Sequence, residues 1–152
     1  MNDFFKEIFA YHSKLNRETI LYFQEHETAI TPQMRRLFCH MLNAHQLWNA
    51  RILNTPAFSV FQLHEPEKYP ELERHNTELS LNILQTYPLS DLINYQDTQG
   101  NEFENSIKEI LFHIGNHHMH HRGQLMTMLR DAGLEPLIID YIYVSRKPRQ
   151  SS

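Results

Sequence analysis

Histidine is the residue type whose placement in this sequence most clearly indicates chemistry. Eleven of the 152 residues are histidine, and His117 and His121 are four positions apart. At about 100° per residue, two such positions on a helix lie about 40° apart, one turn above the other. Two imidazoles placed this way can bind the same atom, and imidazole nitrogen is a preferred ligand of divalent transition metals.

A third histidine occupies a comparable place in an earlier segment. His45 falls in the gap of an apolar stripe that runs with helical spacing through Met34, Phe38, Met41, Trp48 and Ile52. The later segment has a similar gap between Ile114 and Leu125, where the stripe positions are histidine. Burying an imidazole without a partner costs about 1–3 kcal/mol, so several of them at one depth need a shared partner. We therefore predict that His45, His117 and His121 bind one divalent transition metal.

Three protein ligands leave at least one coordination position open for water or substrate, as in catalytic sites. Structural zinc sites, in contrast, usually have four protein ligands. Other histidines remain alternatives: His118 and His120 could compete as ligands. We expect His118 to be a packed or capping residue, His113 and His120 to lie beside the ligands or at the surface, and His12 and His26 to be partly exposed at an end of the bundle. His40, His64 and His75 receive no role.

Helical periods separated by breakers predict the elements that must position these residues. Four long helices are expected, over Asp3 to about Glu27, Thr31-Pro32 to about Asn54, Leu72 to before Pro88, and Asn101 to Ala132. Asn101 with Glu104 resembles a capping box for the last of them. A hairpin or extended loop is expected near Leu92 to Tyr95, and a short turn from Ile138 to Val144. The chain thus predicts an all-α four-helix bundle.

The bulk composition narrows the class of protein. We expect one domain over residues 1–145 and a disordered polar tail over 146–152. Lys+Arg total 14 against 18 Asp+Glu, a net charge of −4 that provides no basic surface for nucleic acid. No apolar run of membrane-spanning length and no signal peptide occur, so we expect no membrane partner. The single cysteine, Cys39, fits a reducing cytoplasm. Four glycines do not form a phosphate-binding loop.

The segment HIGNHHMHHRGQ, from His113 to Gln124, resembles the histidine-rich helix of the DinB-like superfamily of metal-dependent proteins. The segment LNAHQLWNAR, from Leu42 to Arg51, is similar to the other ligand segment of that family. The resemblance implies an up-down-down-up bundle, often a homodimer, with three histidines that bind nickel or zinc. Carried onto this sequence, it gives the same ligands as the stripe argument, His45, His117 and His121.

The resemblance also suggests an activity. Related proteins include bacillithiol and mycothiol S-transferases, which use a metal to hold a low-molecular-weight thiol as thiolate. We therefore expect a metal-dependent enzyme acting on a small-molecule substrate, a thiol-dependent transferase or a hydrolase. No general base can be named, because the stripe faces carry no Asp or Glu near the three histidines. Two alternatives remain open: a non-enzymatic metal-binding or stress-response bundle, and a bundle whose histidines bind only purification nickel.

Overall fold

The computed structural model describes residues 1–148 as four long helices, one hairpin and a short C-terminal helix. The elements are α1 (Asn2–Glu25), α2 (Pro32–Leu53), α3 (Tyr69–Thr86), β1 (Leu92–Gln96), β2 (Glu102–Ser106), α4 (Ile107–Asp131) and α5 (Tyr141–Ser145). A single 3-10 turn, Pro66–Lys68, leads into α3. The mainly helical fold and the short hairpin confirm the expected class.

Local sequence signals account for both ends of α2. The Thr31 hydroxyl accepts a hydrogen bond from the Met34 backbone amide at 3.2 Å, and Pro32 occupies the first turn. Proline is favourable there because its missing N–H would have no helical partner. At the other end, Asn54 adopts a left-handed conformation with φ of 52°, which closes the helix.

Contacts between α2 and α3 show that these consecutive helices run parallel. Near the start of both helices, Cys39 Sγ lies 3.6 Å from the Tyr69 hydroxyl. Further along both, the Ser80 hydroxyl donates to Asn49 Oδ1 at 3.0 Å. Parallel neighbours require a crossover, which is the 54–68 connection.

The other two helices run in the opposite direction to α2 and α3. Asn2 at the start of α1 donates to the Leu84 carbonyl at the end of α3, at 2.9 Å. His118 of α4 pairs with His45 of α2, and Trp48 further along α2 contacts His113 earlier in α4. The helices thus run up, down, down and up, as expected, with α1 and α2 each packed against α3 and α4.

The 54–68 connection is tied to the surface of α2 by side chains of that helix. Gln46 donates to the Pro56 carbonyl at 3.0 Å and accepts from the Phe58 amide at 2.9 Å. Asn43, fully buried, donates to the Gln62 carbonyl at 2.7 Å. These amide contacts hold an otherwise irregular segment against the bundle.

The start of α4 differs from the expected one. Asn101 does not open a helix; its amide and side chain donate to the Asp97 carboxylate at 2.9 Å each, in the turn of the hairpin. The chain continues as β2, and the capping box is formed by Ser106 and Glu109. The expected box was wrong because the hairpin turn uses Asn101. Phe103, which falls within the range expected for the last helix, lies instead on β2 with 46% of its surface exposed.

Two apolar clusters fill the ends of the bundle, with a layer of buried polar residues between them. One cluster contains Phe23, Phe38 and Leu125, and the other contains Phe9, Ile83 and Ile110. The polar layer includes His12, His45, Ser80, His118 and Arg122, each at most 3% exposed. Because buried polar groups require partners, this layer constrains the rotation of each helix about its axis.

Among the helices in residues 1–148, none has both the length and the hydropathy that a membrane crossing needs. The polar tail expected at 146–152 falls partly on residues 149–152, which lie outside the described residues. The boundary of the single domain at residue 145 stays a prediction.

Candidate metal site

His40, His117 and His121 form a compact group between α2 and α4. One ring nitrogen from each lies within 4.8 Å of the others. The ring centroids of His117 and His121 are 4.4 Å apart, and His40 lies 5.0 Å from the first and 4.8 Å from the second. All three rings are half-buried, so a small molecule can reach them from outside.

Helix geometry explains how the group forms. His117 and His121 are one turn apart on the flank of α4 that faces α2. The two helices are antiparallel and α2 presents His40 opposite them, while the 54–68 connection covers the outer side of His40. The Phe61 ring of that connection stacks on His40, with centroids 6.0 Å apart and planes inclined by 18°.

Hydrogen bonds set the tautomers of two of these rings. His40 Nδ1 lies 3.1 Å from the Val60 carbonyl, and His121 Nδ1 lies 2.7 Å from Gln124 Oε1. Both oxygens can only accept, so each Nδ1 carries the proton and each Nε2 keeps a free lone pair. Partners of this kind orient metal-binding histidines in known sites.

Burial favours the neutral form of His117 and His121 by lowering the pKa of each ring. Desolvation, with smaller effects from His121 and His40, lowers the pKa of His117 to about 3. Desolvation likewise lowers the pKa of His121, although its bond to Gln124 acts in the opposite direction. A neutral imidazole can donate its lone pair to a metal, whereas imidazolium cannot.

His45, expected as the third ligand, lies in the buried polar layer and is 3% exposed. Its Nε2 is 2.8 Å from the Ser80 hydroxyl, and its Nδ1 is 3.1 Å from His118 Nε2. Ser80 uses its single proton on Asn49, so His45 Nε2–H donates to Ser80 and Nδ1 accepts from His118. Both ring nitrogens therefore have partners within the protein, and burial lowers the pKa of His45 to about 3.

The structure thus brings together His117 and His121 as predicted, but with His40 in place of His45. The core face of α4 contains Ile114, His118 and Leu125, whereas His117 and His121 lie on its flank. A ligand from α2 must lie on the matching flank, and position 40 is about 140° from position 45 on a helix. Once the pair is assigned to a flank, His40 becomes the expected partner.

Among the other histidines, His12 differs from expectation and His118 agrees with it. His12, expected to be partly exposed at an end, is 3% exposed in the polar layer and stacks 5.4 Å from His118. His118 is a packed core residue, as anticipated. His120 is exposed, with its ring 4.8 Å from His121, and His26 lies at the end of α1 against Tyr22. His12 was misjudged because its partner, Arg122, is more than 100 positions away.

Aromatic and cationic side chains lie beyond His113 on the same side of the bundle. The His113 ring is 5.7 Å from His117 and 5.0 Å from Trp48. The Arg51 guanidinium lies between Trp48 and Tyr95, 4.4 Å and 4.5 Å from their ring centroids. Within residues 1–148, no Asp or Glu joins the histidine group.

A helical bundle with a crossover between two parallel helices, and with three imidazoles close together, defines a class of protein suited to bind a transition metal. The chain belongs to the DinB family, whose profile it matches over residues 5–150. A comparison with curated proteins gives no significant match.

Proposed function

We propose that this protein binds one divalent transition metal, nickel or zinc, through His40, His117 and His121 and uses it to act on a small-molecule substrate. The main support for this site is that hydrogen bonds to Val60 and Gln124 leave Nε2 of His40 and of His121 free to bind a metal beside His117. Three imidazole nitrogens are a donor set that both metals accept.

The protein's own residues determine what such a site can do. Val60 and Gln124 hold two rings in a binding tautomer, and three ligands leave room for a further one. A bound ion supplies Lewis acidity, which lowers the pKa of a coordinated water or thiol. Phe61 and the 54–68 connection shield one side of the group, so substrate approaches from the side of His113 and Trp48.

The finer proposal is a thiol-dependent S-transferase, with a hydrolase as the nearest alternative. No carboxylate belongs to the histidine group in the described chain, so no Asp or Glu of the group can act as a general base. That favours a co-substrate such as a low-molecular-weight thiol, whose proton is lost more easily than that of water. Arg51, held between Trp48 and Tyr95, is a cation on the His113 side that could bind an anionic group of that thiol.

A second candidate is a non-enzymatic metal-binding module. His40 lies on α2 and the other two histidines on α4, so an ion held by all three would cross-link two helices. Such a link stabilises the folded state without any turnover. This role is favoured by the position of the group between helices that pack directly on each other.

The proposal extends to assembly and location. We propose a homodimer in the cytoplasm, where the buried and unpaired Cys39 would stay reduced. Light scattering of the purified chain tests the dimer: a mass near twice 18.2 kDa is expected, and a mass near 18.2 kDa would contradict it.

Metal analysis of protein made without a histidine tag tests the central proposal. About one nickel or zinc ion per chain is expected after growth in metal-replete medium, and none would reject it. Removal of the metal with a chelator then distinguishes an enzyme from a non-enzymatic metal-binding module. Loss of thiol transfer to epoxides or other electrophiles, with an unchanged melting temperature, indicates the enzyme. A lower melting temperature in a protein that transfers no thiol indicates the module.

A further inference from the structure

A second pocket opens between α1 and α4, on the opposite flank of α4 from the histidine group. Its volume is about 150 Å³, and its walls are mainly apolar, with Phe4, Ile8, Phe112, Met119 and Tyr141 among them. On the helix, Gly115 and Met119 are about 160° away from His117. The pocket is therefore separate from the candidate metal site, and the inference below does not depend on a bound metal.

The floor of this pocket carries a hydrogen-bond donor without a partner. His12 is 3% exposed, and its Nδ1 lies 3.2 Å from a terminal guanidinium nitrogen of Arg122. Because arginine can only donate, His12 Nδ1 is the acceptor and the ring proton is on Nε2. Within residues 1–148, the hydrogen bond to Arg122 at Nδ1 is the one that the His12 ring makes, so its Nε2–H is left unused.

Gly115 leaves the space in front of that donor open. A Cβ atom at position 115 would lie 3.2 Å from His12 Nε2 and 3.5 Å from Ile8. Any larger residue would therefore crowd the nitrogen that faces the pocket. Gly123, on the same helix, has free space around its Cβ position and provides a matched control.

A buried positive charge stands behind His12. Arg122 is fully buried, and its other terminal nitrogen donates to Asn16 Oδ1 at 2.8 Å. The three partners of the guanidinium, His12, Asn16 and the Met119 sulfur, are neutral, and its Nε has no partner. In the part of the chain that the structure describes, no carboxylate forms a salt bridge with Arg122. A buried charge without a counter-ion favours an anion nearby.

We propose that this pocket binds a small aromatic carboxylate, with its ring between α1 and α4 and its carboxylate accepting a hydrogen bond from His12 Nε2. An apolar cavity of about 150 Å³ is large enough for a benzene-sized ring. Offset contacts with Phe4, Phe112 and Tyr141 suit an aromatic body. The donor on His12 and the charge on Arg122 select an anionic group at the inner end.

Titration calorimetry and ligand-observed NMR with three probes test the chemistry of the site. Benzoate carries both the ring and the charge, benzyl alcohol the ring alone, and acetate the charge alone. We expect benzoate to bind at least about tenfold more tightly than either partial probe, since charge-assisted hydrogen bonds are about twice as strong as neutral ones. Equal affinities, or no saturable benzoate binding at millimolar concentration, would overturn the proposal.

Variants of α4 test the location. Gly115→Ala should weaken benzoate binding at least about tenfold by crowding His12 Nε2, while Gly123→Ala should leave it unchanged. Phe112→Asp supplies a second test that does not disturb the core, because Phe112 is 58% exposed at the mouth. Its negative charge should repel benzoate and leave benzyl alcohol less affected. Benzoate binding that is unchanged in both Gly115→Ala and Phe112→Asp would refute this location.

Metal binding and benzoate binding can be tested independently of each other. His117→Ala should lose metal and keep the wild-type affinity for benzoate. Failure of benzoate to bind a protein that holds its metal would reject this pocket alone. Wild-type protein that binds benzoate but holds no metal after growth in metal-replete medium would reject the proposed metal function alone.

Discussion

His118 Nε2 donates a hydrogen bond to Nδ1 of His45 at 3.1 Å, in the middle of the bundle. The bond continues a chain of donors in which His45 donates to Ser80, and Ser80 to Asn49. Because each member has one proton to give, the direction of the whole chain is determined. The buried position of His45 is therefore explained within the protein, which leaves His40 as the α2 residue available to a metal.

Substitution of the two α2 histidines tests the proposed metal-binding role of His40 against the structural role of His45. His40→Ala should lower metal affinity by more than about 100-fold, since even outer partners of metal ligands are worth about 10–100-fold. His45→Ala should keep metal stoichiometry but destabilise the fold by about 2–3 kcal/mol, because it removes the donor to Ser80 and leaves His118 Nε2–H without an acceptor. Elemental analysis and thermal unfolding measure the two effects. Metal retained by His40→Ala and lost by His45→Ala would reinstate His45 as the ligand.

Gln124 is expected to act on metal affinity through His121. Gln124→Ala removes the acceptor that holds the Nδ1 proton of His121, so the ring can rotate or change tautomer. Affinity should fall by about 10-fold or more, with little change in the free energy of unfolding because Gln124 is exposed. Competition with a metal-sensitive dye provides the measurement. Gln85→Ala, an exposed change on α3, is the control, and equal affinities of the two variants would count against this role.

Acid should unfold this protein through its buried histidines. Burial lowers the pKa of His12 to about 2 and that of His45 to about 3, and it lowers the pKa of His118 as well. The unfolded chain takes up protons below its ordinary histidine pKa of about 6.5 while the folded chain does not, so stability is lost as the pH falls. Three such groups give a slope of about 4 kcal/mol per pH unit, or about 6 kcal/mol by pH 5.

Urea unfolding of the metal-free protein at several pH values measures that slope. His118→Gln keeps a neutral donor near the Nε2 position and should reduce the slope by about one third. His75→Gln changes an exposed histidine and should leave the slope as it is. A wild-type slope near zero between pH 6 and about 5 is incompatible with neutral buried imidazoles.

The capping box that begins α4 should contribute measurably to stability. Ser106→Ala removes the hydroxyl that accepts from the Glu109 amide and should cost about 1 kcal/mol, or about 2–4 °C in melting temperature. Glu109→Ala should cost a similar amount, and the double variant less than the sum, because each residue holds the other. Glu104→Ala, at the position of the box expected from sequence, should have little effect.

The start of α4 shows where local patterns become ambiguous. Asn101 with Glu104 and Ser106 with Glu109 both fit the spacing of a capping box. Which of them begins the helix depends on the pairing of β2 with β1, where Leu92 lies opposite Ser106. That pairing is a contact between segments more than ten residues apart, so no short window could decide it. The breakers around α2, in contrast, act within one turn and were predicted correctly.

The difference between local and long-range determinants also applies to the candidate site. Spacing alone identified His117 and His121 as a pair, because four positions on a helix determine their separation. The α2 partner depends on how both helices are rotated about their axes, which the buried polar layer determines through contacts such as that of Arg122 with His12. The apolar stripes placed the histidines near the core but did not resolve the rotation of each helix. His40 and His45 lie about 140° apart on α2, so the choice between them depends on that rotation.

The parallel arrangement of α2 and α3 has a consequence for specificity. The 54–68 connection has to travel back along α2 from Leu53 to the level of Cys39, about 21 Å of helix, yet its 15 residues can extend to about 50 Å. The surplus length bulges over His40 and carries Phe61 outward, 81% exposed. Insertions or replacements in this stretch would reshape the covered side of the histidine group without moving a single helix. For the proposed enzyme, new substrate preferences can therefore arise here at little cost to folding.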